Sequence, residues 1–131
     1  YEKDNLEVET SEIINMYANK TGAIFGLSFS LPFFLAGEYK LGEKMHEIGI
    51  DFGISFQIFD DLKDLLKSEK ELGKDTHKDV NKKTLLNKMS SKEVKIVADN
   101  YYSRVIENLL TLNYSDMVRN LIEIRNIVES R

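Results

Sequence analysis

The chain has 131 residues, 42% of them hydrophobic and 31% charged, and no cysteine. This length suits one domain or part of one, and the apolar share fits a globular chain rather than a disordered one. The net charge of −4 argues against general nucleic-acid affinity, which needs a basic face. Without cysteine there is no disulfide framework and no thiolate metal site, which suits a cytoplasmic location.

Taken in chain order, the pattern is helical almost throughout. Glycine and proline are scarce, and no hairpin dipeptide separates alternating runs. A first helix is expected from about Glu9 to Asn19, with Lys20 and Thr21 at its junction with the next. Thr21 to Gly37, TGAIFGLSFSLPFFLAG, is uncharged over its whole length. A membrane span needs about 20 apolar residues without such interruptions as Pro32, and a signal peptide would be N-terminal with a basic flank. The stretch is therefore expected to be a buried core helix kinked near Pro32, and no transmembrane segment is expected. The third and longest helix is expected from about Gly42 to Leu66. On it Met45, Ile48, Phe52, Phe56 and Phe59 form one apolar row and Ile50, Ile54, Ile58 and Leu62 a second, so neighbours are expected on several sides. Gly49 and Gly53, four apart, would let another helix approach closely. Lys67 to Lys83 is polar and lysine-rich and reads as a loop. Helices then resume from about Ser91 to Leu112 and from a Ser115 cap through Met117, Leu121, Ile124 and Val128. The expected fold class is an all-α helical bundle, or a piece of one.

Against this background FQIFDDLKD, residues 56–64, stands out, because charges beside a core are costly to desolvate unless something compensates them. Asp60 and Asp64 are i and i+4 and share a helix face, Asp61 lies on the adjacent flank, and Gln57 precedes them by one turn. Carboxylates without histidine or cysteine suit a hard cation such as Mg²⁺, which takes one or two of them together with waters and phosphates. The other reading is a polar helix end facing water, although acids there meet the negative end of the helix dipole. The following segment, ELGKDTHKDVNKKT, supplies Lys74, Lys78, Lys82 and Lys83 with Asp75 and Asp79 between them. Such lysines could neutralise a diphosphate from one side while a cation bridges it on the other.

K-T-G at 20–22, F-Q-x-x-D-D-x-x-D at 56–64 and a later G-K at 73–74 resemble, in order and distance, the C-terminal half of the trans-isoprenyl diphosphate synthases, the polyprenyl synthetase family. The closing LIEIRNIVESR is similar to the last helix of bacterial members, which would put Arg131 near a natural C-terminus. The resemblance implies a helical bundle of the isoprenoid synthase type and a transferase that joins isopentenyl diphosphate to an allylic prenyl diphosphate with Mg²⁺, as a homodimer. It implies that Asp60, Asp61 and Asp64 hold the metal. Lys20, Lys74 and Lys82 or Lys83 would contact diphosphate, and the oxygens of Thr21 and Gln57 would face the developing allylic cation. The family's first aspartate-rich motif belongs to an N-terminal half that is absent here. The chain is therefore expected to be the C-terminal portion of a synthase or, alternatively, a catalytically incomplete helical subunit that supports a partner synthase.

Terpene cyclases carry an Asn/Asp, Ser/Thr, Glu metal triad, which Asp64 breaks. His46 and His77 lack ligand partners at metal spacing and are expected at the surface. Asp51, alone in the apolar third helix, is expected to pair across to another element, and of the adjacent Tyr101 and Tyr102 one should be core and the other rim.

Overall fold

The computed structural model describes residues 2–72 and 89–130, with side chains described over 9–65 and 89–127. All regular structure among the described residues is helical: α1 (Glu2–Tyr17), a π-helical turn (Ala18–Gly22), α2 (Ala23–Leu35), α3 (Tyr39–Leu72), α4 (Ser91–Thr111) and α5 (Ser115–Ser130). The all-α expectation holds. The expected junction near Lys20 is instead continuous, since Tyr17 before the turn and Ala23 after it both keep right-handed helical backbone. Nothing in ANKTG stops a helix outright, so the chain absorbs one extra residue in a π turn, a device often found at functional sites.

α3 is 34 residues long and spans about 50 Å at the usual helical rise. It runs beyond the expected end at Leu66, so Lys67–Leu72 are helical rather than loop. Local propensity explains this, because all of KSEKEL but Ser68 are good helix formers, without glycine or proline.

α2 and α3 are antiparallel and unusually close. A Cβ on Gly53 would lie 2.6 Å from the Gly22 Cα, one on Gly49 would lie 2.7 Å from the Gly26 Cα, and one on Gly42 would meet the Phe34 ring. The paired glycines Gly22/Gly26 and Gly49/Gly53 thus let the two backbones touch, as the spacing on α3 suggested. α2 itself passes through Pro32 and ends three residues later at Leu35. Gly37, at φ +81°, closes it: the Gly37 and Glu38 N–H groups donate to the Phe34 and Phe33 carbonyls at 3.1 and 2.9 Å, a Schellman ending. The expectation of a wholly buried α2 is corrected. Phe25, Phe29 and Phe33 pack on the core, whereas Ile24, Leu27, Leu31 and Leu35 are exposed along the opposite side.

α4 lies antiparallel to α3 on its other flank. Ile54, Ile58 and Leu62 pack with Val94, Ala98, Ile13 and Tyr17, while Met45, Ile48 and Phe52 pack with Tyr102, Val105, Leu109, Val118 and Leu121. The two apolar rows on α3 therefore serve two cores. Phe56 is the exception, exposed rather than buried, because it points into the groove described below. Tyr102 is core and Tyr101 half-buried, dividing as expected.

Ser90 caps α4. Its hydroxyl accepts from the Glu93 N–H at 3.2 Å, the N-cap bond, and donates to the Glu93 carboxylate at 2.9 Å. Ser90→Ala is expected to cost about 1 kcal/mol, read as a lower midpoint in urea unfolding. Asn113, at φ 67°, ends α4 in a second Schellman turn, with Tyr114 N–H donating to Leu109 at 2.9 Å. α5 begins at Ser115 itself. The serine is thus the first helical residue rather than its cap, because the αL turn at Asn113 already fixes the entry.

Asp51 pairs with Arg104 on α4 at 3.5 Å. Burial nevertheless pushes its carboxyl above the ordinary value, with Arg104 opposing the shift and Glu47 adding to it. A raised folded-state value means that stability present while Asp51 is protonated is lost as pH rises through that value. Asp51→Asn should therefore leave the melting temperature equal or higher at neutral pH, and should flatten its change between about pH 4 and 7. Thermal melts across that range check it, and a lower neutral-pH melting temperature would count against it. His46 is half-buried rather than superficial, its ring 3.0 Å from where a Gly26 Cβ would stand.

Candidate active site

The lower half of α3 carries the site, and the glycine contacts fix its distance from the π turn. Gly53 rests on Gly22, so Thr21 in the turn comes opposite Gln57, one turn further along α3. The Thr21 hydroxyl donates to Gln57 Oε1 at 2.8 Å. Gln57 Nε2 then donates to Asp61 Oδ1 at 3.0 Å, and the Tyr17 hydroxyl donates to Asp61 Oδ2 at 2.7 Å. Three sequence-predicted residues, Thr21, Gln57 and Asp61, are thus joined in one hydrogen-bonded chain. Tyr17 had not been foreseen as a member; the available signal was an aromatic hydroxyl four residues before Thr21, on the same flank.

Asp60 and Asp64 are exposed. The Asp60 carboxyl is pushed above its ordinary value, first by partial burial, then by the charges of Asp64 and Asp61, with Lys63 acting the other way. Such a shift marks negative charge gathered faster than the described groups offset it. Among the described residues no three carboxylate or histidine side chains converge into a ready-made ligand set, since Asp61 is turned toward Tyr17 and Gln57. The donors fit magnesium, which needs only one or two protein carboxylates when waters and phosphate oxygens complete its shell. Lys20 is exposed in the π turn. Lys74, Lys78, Lys82, Lys83 and His77 lie outside the described residues, as does Arg131.

Asp60 also stands at the edge of a cleft between α3, α4 and α5. Its walls are largely apolar, with Phe52, Phe56 and Phe59 from α3 facing Leu121 and Ile124 from α5. Arg125 closes one side. Its guanidinium lies 4.7 Å from the Phe59 ring centre and 4.5 Å from that of Tyr102, and it pairs with Asp99 at 3.1 Å. Stacked and paired in this way, the arginine lines an apolar wall at little desolvation cost. Phe25 meets Phe52 edge-on at 5.0 Å and Phe56 at 5.4 Å, so an aromatic surface continues from the cleft toward α2. Chemically, the arrangement offers oxygen ligands for a hard cation beside an apolar groove, which suits a molecule with an anionic head and a hydrocarbon tail.

Comparison with known proteins bears on family and fold. The polyprenyl synthetase family profile matches residues 1–124. The crystal structure of a geranyltranstransferase from Thermotoga maritima is similar at a TM-score of 0.73 and 35% sequence identity, over 91% of this chain and 40% of that one. The chain thus spans about two fifths of the length of that relative. No curated protein matches. With the family profile covering nearly the whole sequence and the all-α fold shared with a solved relative, this chain belongs to the polyprenyl synthetase family.

Proposed function

We propose that residues 1–131 are the C-terminal portion of a Mg²⁺-dependent prenyltransferase. The reaction condenses isopentenyl diphosphate with an allylic diphosphate to give a longer isoprenyl diphosphate. The observation that carries this reading is the position of Asp60, its carboxyl raised by burial and by Asp61 and Asp64, at the edge of an apolar cleft. In the proposed reaction the allylic carbon–oxygen bond breaks and charge gathers on the departing diphosphate. Magnesium, when bound, would stabilise that charge. Asp60, Asp61 and Asp64 would hold the metal, and Lys20, Lys74 and Lys82 or Lys83 would contact the diphosphate oxygens, more strongly in the transition state than before it. The Thr21–Gln57 pair would present its remaining oxygen lone pairs to the allylic cation, and the phenylalanines would keep water from it. The first aspartate-rich motif and the isopentenyl diphosphate site would come from an N-terminal half. A homodimer and a cytoplasmic location belong to the same reading. No described helix is long and apolar enough to cross a membrane.

The test is prenyl transfer by this protein, with labelled isopentenyl diphosphate, an allylic diphosphate and Mg²⁺, followed by product chain length. Product that vanishes with chelator supports the reading; its absence counts against a self-sufficient catalyst. A second reading, a catalytically incomplete helical subunit that supports a partner synthase, is favoured by the exposed row Ile24, Leu27, Leu31 and Leu35. Partner binding that is indifferent to Asp60→Asn would select it.

A further inference from the structure

We propose that Tyr17 is a positioning residue: its hydroxyl fixes the Asp61 carboxylate and, through it, the side-chain amide of Gln57. The inference deepens the diphosphate reading above and rests on it for its functional consequence. The Tyr17 ring is 4% exposed and packs in the core with Ile13, Ile54 and Ile58. The fold therefore sets where the hydroxyl lies, and that point is 2.7 Å from Asp61 Oδ2, across 44 residues of sequence. On the other oxygen, Asp61 accepts from Gln57 Nε2 at 3.0 Å, and Gln57 Oε1 accepts from Thr21 at 2.8 Å. The donors run in one sense from each end, Tyr17 to Asp61 and Thr21 through Gln57 to Asp61, so the carboxylate is held between the Tyr17 hydroxyl and the Gln57 amide.

Each carboxylate oxygen has two lone pairs. Tyr17 and Gln57 take one apiece and leave one on each oxygen for a cation or its bound water. Among the described residues Asp60 and Asp64 have no comparable hydrogen-bonded anchor, so Asp61 is the member of the acidic set whose direction the fold dictates. Hydrogen bonds from outside the ligand shell orient ligating carboxylates, and their loss typically costs about 10- to 100-fold in metal affinity or activity.

Tyr17→Phe keeps the ring and removes only the hydroxyl. Three measurements decide its role: thermal melting, calorimetric affinity for inorganic diphosphate in Mg²⁺, and the ¹⁵N resonances of the Gln57 side-chain amide in metal-free protein. The expected result is a nearly unchanged melting temperature, about tenfold weaker diphosphate binding and shifted Gln57 resonances. In an Asp61→Asn background the same change should cost less than about twofold, because the two groups act as one unit. A lower melting temperature with unchanged diphosphate affinity would overturn the proposal, leaving Tyr17 a packing residue. Losses that multiply in the double variant would overturn it too. If the parent protein binds no diphosphate in Mg²⁺, the site reading fails by itself. The Gln57 resonances still decide in that case: unchanged in Tyr17→Phe, they overturn the positioning role, and shifted, they uphold it.

Discussion

Asp60→Asn is expected to weaken Mg²⁺-dependent diphosphate binding more than about a hundredfold while leaving the melting temperature unchanged or higher. The two halves of this expectation share one cause. Burial and the charges of Asp61 and Asp64 hold the Asp60 carboxyl above its ordinary value, so at neutral pH its ionised form is a burden on the folded state. Asparagine removes that burden, and under the proposed function it also removes a carboxylate that would serve a hard cation. Stability and function then move in opposite directions, as expected where a site holds unfavourable charge for a purpose. Calorimetric titration with diphosphate at fixed Mg²⁺, paired with thermal melting, checks both. A variant that melts lower and binds as before would mean that Asp60 serves the fold.

Gly53→Ala is expected to cost about 3 kcal/mol, at the upper end for overpacking because the obstruction is backbone. The new Cβ would lie 2.6 Å from the Gly22 Cα and 2.9 Å from the Gly22 nitrogen, and neither can turn aside as a flexible side chain could. At this chain length the loss corresponds to roughly 10 °C in melting temperature. Forcing the π turn from α3 at this level also carries Thr21 away from Gln57, now 2.8 Å apart, so diphosphate binding should fall with stability. Gly37→Ala is the comparison. It meets nothing within 4 Å and suffers only its positive φ of 81°, an expected cost of about 1 kcal/mol. Equal effects at the two glycines would refute the close-approach argument.

The helices and the candidate acidic cluster were legible in the sequence because these depend on local spacing. The i, i+4 relation of Asp60 to Asp64, and the GxxxG step on α3, can be read before any packing is known. The partners could not be read this way. That Asp51 meets Arg104, that Tyr17 reaches Asp61, and that Arg125 lies between Phe59 and Tyr102 are consequences of how α1, α4 and α5 dock on α3. Periodicity within one helix says nothing of that. The π turn was hidden for a related reason, since nothing in ANKTG marks an extra residue within a helix, and the contact of Gly22 with Gly53 appears only once the elements are packed. α2 misled in the opposite direction. Its uniform apolarity suggested burial all round, yet only its phenylalanine side meets the core, and the Ile24 to Leu35 row faces outward. Apolar composition predicts a wish for contact without naming the partner.

The most direct test of the central claim is calorimetric titration of this protein with an allylic diphosphate, such as geranyl diphosphate, in Mg²⁺ and again in chelator. The account predicts saturable binding in Mg²⁺, displaced by inorganic diphosphate and lost in chelator. Binding that survives chelation, or no binding in Mg²⁺, would contradict it.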